Sequence, residues 1–142
     1  MLEPLIGGPE PALFAADFTG DAHRGYIVST QRAANLPFAI RRVFWSFGIP
    51  EDQLKGDHAH RLDRKILVAL QGQITIETET DQIKQFRLNS PFQALYVPAL
   101  CWIKLRYSPG SILLALSSTD FVEQDYIYNY DEFKQLRQST NQ

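Results

Sequence analysis

Between Gly25 and Ser118 the apolar positions fall in short runs rich in β-branched and aromatic residues, with no run holding a helical period. Residues 26–28, 39–47, 66–70, 73–77, 86–88, 95–97, 103–107 and 112–116 each read as a strand. Turn residues punctuate them at Asn35-Leu36-Pro37, Gly48-Ile49-Pro50, Gln71-Gly72, Asn89-Ser90-Pro91 and Ser108-Pro109-Gly110. That spacing predicts an antiparallel sandwich or barrel, and the lack of intervening helical segments disfavours a parallel α/β sheet. Only residues 130–138 predict a helix, with Asp131 near its start and Phe133, Leu136 and Arg137 at helical spacing. Residues 1–16, rich in Pro, Gly and Ala without a clear period, read as an arm that either docks or stays mobile. A docked arm would suggest a partner subunit.

With 142 residues and 44% hydrophobic content, the chain can close one core and is short for two. The expected organisation is a single domain over 1–142, with an arm at 1–16, a barrel at 24–133 and a tail at 134–142. Fourteen Lys and Arg face sixteen Asp and Glu, a net charge of -2, so no basic field attracts nucleic acid. Any anionic ligand must be caught by a few placed cations. Cys101 stands alone, which rules out an internal disulfide and fits a reducing compartment. The first eleven residues lack the basic and apolar pattern of a secretion signal and no later run would span a bilayer, so a cytoplasmic protein with no membrane role is expected.

Strand alternation in 39–47 sets Arg42, Phe44 and Ser46 on one face, suited to a barrel interior that holds a polar ligand. Arg41, Val43, Trp45 and Phe47 fall on the other, suited to packing. Because Arg41 and Arg42 cannot both face inward, Arg42 is the candidate for clamping a pyrophosphate or polarising a sugar oxygen. His58 and His60, two apart at the start of a strand run, project from one face and can serve one reacting group. Three readings of this pair compete: a metal site, a metal-free acid/base pair, and two histidines on a loop. A metal-binding cupin carries a Glu four residues after the second His and a third His on a later strand. Here Arg64 and then Lys65 occupy that region, and no His lies in 95–107. His23, far upstream, is a poor third ligand, so the metal reading falls and no cofactor is called for. A metal-free imidazole pair suits proton transfer between neighbouring carbons through an enediol. Cys101 has no base in its own segment and reads as a buried structural thiol. Phe44, Trp45, Tyr96, Trp102 and Tyr107 read mostly as core, with one or two available to stack on a base or sugar.

The segments Leu36-Pro37-Phe38-Ala39-Ile40-Arg41-Arg42-Val43-Phe44-Trp45 and Lys55-Gly56-Asp57-His58-Ala59-His60-Arg61 together resemble the signature of the dTDP-4-keto-6-deoxyglucose 3,4-ketoisomerases, a WxcM-like cupin family. The likeness continues through residues 67–72, 95–102, 112–118 and 125–133, and so covers about Gly25 to Phe133. It implies a jelly-roll cupin barrel, homodimeric and often with an exchanged N-terminal strand, acting in deoxysugar biosynthesis such as that of lipopolysaccharide O-antigen. It implies a thymidine-diphosphate sugar as ligand and a keto shift without metal or redox cofactor. His58 matches the proton-transfer residue, with His60 or a water returning the proton. Arg42, Phe44, Ser46, Arg24, Lys65, Tyr96 and Trp102 are the candidate ligand-binding positions.

The chain departs from the family pattern at four of its positions. Phe44 stands where a tyrosine is usual, Arg24 where a second tyrosine precedes the early Gly, Ile103 where an arginine follows the Trp, and Lys65 where a Gln follows the histidines. Loss of a positioned acid costs about 10²–10⁴ in rate, so a non-catalytic sugar-nucleotide binder or partner subunit is the alternative function.

Overall fold

A computed structural model describes residues 7–140; the beginning of the arm and the last two residues of the tail lie outside them. Within that span twelve strands precede a single α-helix. Strands β1 (Ala12–Ala15), β9 (Gln93–Val97), β6 (Lys65–Gln71), β11 (Ile112–Ser117) and β4 (Arg42–Phe47) form one antiparallel sheet in that order. Strands β12 (Tyr126–Ile127), β5 (Lys55–His60), β10 (Trp102–Tyr107), β7 (Ile74–Glu79) and β8 (Ile83–Leu88) form the second. The two sheets face each other as an all-β jelly-roll barrel of the cupin type, the antiparallel barrel that the patterning predicts in the form that the family resemblance implies. A separate hairpin pairs β2 (Asp17–Asp21) with β3 (Gly25–Ser29).

Period two explains how one strand serves two cores. In β6, Leu67 and Ala69 point between the sheets, where they meet Ile74, Ile76, Leu95, Ile103, Leu105 and Leu113. Ile66 and Val68 point the other way, into a second cluster with Leu36, Phe38, Ala94, Tyr96 and Leu116. Because both faces of β6 are buried, its sequence is a continuous apolar run rather than an alternation. The C-terminal helix α1 (Tyr130–Thr140) seals the outside of the second sheet, burying Phe133 against Ala59, Trp102 and Ile127. Asn129 accepts a hydrogen bond from the Glu132 backbone N–H at 2.9 Å and so caps that helix.

The arm and β4 differ from the sequence expectations. The arm contains β1, which docks on β9 of its own chain, with Ala12 opposite Tyr96. Strand β4 starts at Arg42 rather than at residue 39. Its non-cavity face, assigned to packing, carries Val43, Trp45 and Phe47 at 49%, 62% and 67% exposure. Among the described residues nothing covers that stripe.

Candidate active site

Gly56 and Asp57 both have left-handed backbone, with φ of 76° and 58°. They form a bulge in β5: His58 pairs with Ile103 and Gly56 with Lys104, leaving Asp57 as the extra residue. A side chain at Gly56 would collide with the Ile103 carbonyl, 2.8 Å from where a Cβ would sit, so the position requires glycine. The bulge turns the Asp57 carboxylate outward, where it accepts the Trp102 indole N–H at 3.1 Å. Beyond it, His58 and His60 both point between the sheets, their ring centroids 5.0 Å apart.

The two rings have different surroundings. His58 Nδ1 lies 2.9 Å from the Gly56 carbonyl. A carbonyl only accepts, so Nδ1 carries the proton and Nε2 is the ring's lone-pair nitrogen. Burial lowers the His58 pKa below its ordinary 6.5, outweighing that hydrogen bond, so the ring is neutral at neutral pH. His60 Nδ1 lies 3.0 Å from Asp125 Oδ2, and that carboxylate also accepts the backbone N–H groups of Leu62 and Asp63. On its other side His60 Nε2 meets the Lys65 ammonium at 3.1 Å. Burial, then the Lys65 charge, then His58 bring the His60 pKa down to about 4. Lys65 Nζ in turn pairs with Asp63 Oδ2 at 2.5 Å, with both side chains buried. Asp63 Oδ1 accepts from Ser118 Oγ and from the backbone N–H groups of Ser118 and Thr119. The result is a closed buried series: Asp125, His60, Lys65, Asp63.

His58, His60 and Lys65 open onto a cavity of about 270 Å³ inside the barrel. One wall is β4, whose alternation delivers Arg42, Phe44 and Ser46 together. The Arg42 guanidinium lies over the Phe44 ring at 4.4 Å and near Phe121 at 5.2 Å. Among the described residues Arg42 forms no ion pair, so its charge is available to an anion. The Ser46 hydroxyl shares a 2.7 Å hydrogen bond with the Tyr107 phenol, whose pKa burial raises. Tyr126 packs on both histidines, 4.9 Å from His58 and 4.3 Å from His60, and Tyr128 stacks behind it.

His58, His60, Arg42, Phe44, Ser46 and Lys65 therefore all line one cavity. Three other candidate positions are not among its lining residues. Tyr96 is fully buried in the cluster on the opposite face of the first sheet. Trp102 faces out of the barrel, packed on Tyr130 and Phe133. Arg24 sits at the exposed turn of the β2–β3 hairpin, its backbone N–H bonded to Asp21. The sequence reading assigned no site role to Lys55, Tyr126, Asp63 or Asp125. The odd spacing of Lys55 from His58 is hidden by the bulge, whereas Tyr126 and Asp125 come from a distant segment brought in by the pairing of Tyr126 with His60.

The donor set does not fit a divalent metal: a lysine ammonium takes the cavity-side lone pair of His60, and Ile103 stands opposite His58. Among the described residues no group of three or more His, Cys, Asp or Glu is placed to hold one. Cys101 is buried, and burial pushes its thiol up to about 12, which leaves it inert. No helix among the described residues is long and apolar enough to cross a membrane.

Residues 13–138 match the family model described as FdtA: WxcM-like, C-terminal. A curated TDP-4-oxo-6-deoxy-alpha-D-glucose-3,4-oxoisomerase from Aneurinibacillus thermoaerophilus is 33% identical over 113 residues, covering 78% of this chain and 81% of that protein. Among solved structures, QdtA, a sugar 3,4-ketoisomerase from Thermoanaerobacterium thermosaccharolyticum in complex with TDP, superposes with a TM-score of 0.85 at 29% identity, covering 92% of this chain and 96% of that one. A 3,4-ketoisomerase from Helicobacter canadensis superposes equally, with a TM-score of 0.85 at 27% identity, covering 91% and 98%.

Proposed function

The chain belongs to the FdtA, WxcM-like C-terminal family, and from that premise we propose that it is a metal-independent 3,4-ketoisomerase of a dTDP-4-keto-6-deoxyhexose. The observation that carries this reading is His58: a neutral imidazole, its Nδ1–H anchored on the Gly56 carbonyl, with its basic nitrogen in a cavity that also holds Arg42, which forms no ion pair among the described residues. In the reaction His58 Nε2 takes the hydrogen on C3 as a proton, and the electron pair forms the C3–C4 double bond of an enediol. The hydroxyl proton on O3 passes to O4 and a proton returns to C4, so the ketone has moved from C4 to C3 with no net change in atoms or electrons. Arg42 holds the diphosphate or a sugar oxygen, Phe44 and Ser46 form the wall beside it, and the Tyr126 ring keeps the histidines in place.

The working unit in this proposal is a homodimer. Val43, Trp45 and Phe47 form an exposed apolar stripe along an edge strand, and Leu70 at 47% and Ile27 at 72% exposure add to the uncovered apolar surface. A second copy of the chain would remove such a surface from water. Arg24, on the hairpin turn, has a part in ligand binding only if a second copy brings it to a cavity.

The test is NMR of the protein with dTDP-4-keto-6-deoxyglucose in deuterated water. Deuterium enters the sugar and the ketone signal moves to C3; His58→Asn abolishes both, a loss of about 10²–10⁴ in rate, while TDP binding persists. TDP binding by the unaltered protein with no exchange into the sugar would leave the non-catalytic binder, the reading that the missing phenol at Phe44 favours.

A further inference from the structure

The lone pair of His60 that faces the cavity is not open to substrate, because the Lys65 ammonium occupies it. This leaves the second histidine of the pair without the atom it would need to act directly. Of the other proton-carrying side chains that border the cavity, Lys55 is exposed at its mouth and Tyr126 packs its ring on the two histidines. Arg42 does not give up a proton at accessible pH. The Tyr107 phenol is engaged by Ser46, and Phe44 has no exchangeable proton. Lys65 lines the same cavity, carries its proton on a rotatable ammonium, and is held by Asp63 on one side and His60 on the other.

Building on the ketoisomerase reading, we propose that Lys65 is the catalytic acid and base for the sugar oxygens, and that His60 is a positioning residue that acts through it. As His58 withdraws the C3 proton, the Lys65 ammonium gives a proton to O4. The resulting amine then takes the hydroxyl proton from O3 as the ketone forms there and the His58 imidazolium delivers its proton to C4, which restores both the ammonium and the neutral imidazole. His60 receives no proton in this cycle. Its Asp125-anchored ring aims the ammonium, and Asp63 maintains the charge.

The surroundings of Lys65 support this. Burial brings its pKa below the ordinary 10.5, and Arg42 lowers it further, while Asp63 and Asp125 hold it up. His60 and His58, the other titratable groups it faces, are neutral at neutral pH. The ammonium is thus a readier proton donor than a lysine in water.

The experiment compares the unaltered protein, Lys65→Gln and Lys65→Arg on dTDP-4-keto-6-deoxyglucose, reading turnover against pH and the partition of deuterium between recovered substrate and product. Both variants are expected to bind TDP and to lose about 10²-fold or more in kcat. Deuterium washed into recovered substrate should rise relative to product, because His58 still forms the carbanion while the oxygens no longer exchange their proton. The alkaline limb of the kcat profile, present below 10.5 in the unaltered protein, should be absent from Lys65→Arg. Asp63→Asn, which keeps Lys65 and an acceptor oxygen, should move that limb to lower pH. Near-normal kcat in either lysine variant overturns the proposal, as does an alkaline limb that survives Lys65→Arg or stays fixed in Asp63→Asn. If the unaltered protein neither exchanges nor isomerises the sugar, the ketoisomerase reading itself fails and the role of Lys65 falls with it. Loss of exchange in His58→Asn alongside normal turnover by the lysine variants would instead remove only the role of Lys65.

Discussion

Replacing Asp63 by alanine removes the one carboxylate among the described residues that is bonded to the Lys65 ammonium, whose side chain is 7% exposed. At their separation of 2.5 Å and an effective dielectric of about 20, the lost attraction is about 7 kcal/mol. That figure is not the cost, because the ammonium has an escape. It can release its proton, and against an ordinary value of 10.5 this costs about 5 kcal/mol at pH 7, at about 1.4 kcal/mol per unit. Breaking a buried pair typically costs about 3–5 kcal/mol, within the same bound. The Ser118 and Thr119 backbone N–H groups that Asp63 accepts add to the loss where water does not replace it. Asp63→Ala should therefore lower unfolding free energy by about 3–5 kcal/mol at pH 7, and Asp63→Asn by less. The deficit has a definite pH dependence. With its partner gone, folded Lys65 has a further depressed pKa, so the unfolded chain binds more protons than the folded one until pH approaches 10.5. Stability of the variant is thus recovered as pH rises, and its gap from the parent narrows between pH 7 and 10. Urea unfolding at pH 7 and pH 9.5 measures both values. A loss under about 1 kcal/mol at pH 7, or an equal loss at both pH values, would show that Lys65 is not the buried, paired ammonium described here.

The His60 ring makes stability fall on acidification: its folded pKa of about 4 lies below the ordinary 6.5, so the stability it contributes is complete above pH 6.5 and is lost as pH falls toward 4. The change is about 3 kcal/mol, and His60→Gln should flatten that part of a urea-unfolding profile. On the outer face of β4, Trp45→Glu with Phe47→Glu should convert a dimer to a monomer in sedimentation equilibrium without changing the circular dichroism; a parent that already sediments at one chain mass would remove the proposed assembly.

Much of the fold follows from periodicity because most of its strands are half-buried, and burial is what periodicity records. The missed strands are those where that link breaks. Strand β2 is exposed throughout, so Asp17-Phe18-Thr19-Gly20-Asp21 bears no apolar alternation. Strand β5 is polar and bulged, so only its His58-Ala59-His60 end reads as strand and Lys55-Gly56-Asp57 does not. Alternation placed Arg42, Phe44 and Ser46 on the cavity wall, and the same parity separates Tyr96 and Trp102 from it. Leu95 and Val97 face the inner core while Tyr96 faces away, and Ile103, Leu105 and Tyr107 face inward while Trp102 does not. Asp125 was out of reach because it acts on His60, 65 positions away along the chain, and Asp63 because its pairing with Lys65 two residues on shows in the sequence only as two neighbouring charges, not as a buried pair.

The extra residue in β5 has a reach beyond the histidines themselves. Lys55 and His58 are three apart, a spacing that on an unbroken strand sends side chains to opposite faces, yet both border the cavity. Asp57 acts as a phase shifter: upstream of it odd-numbered positions look inward, downstream even-numbered ones do. One strand thereby presents a flexible cation at the mouth and two rigid imidazoles deeper in, from a stretch of only six residues. The composition of this wall is thus sensitive to backbone geometry as well as to side-chain identity. Flattening the bulge with all six residues kept would swing the lysine out to solvent while the imidazoles kept their places.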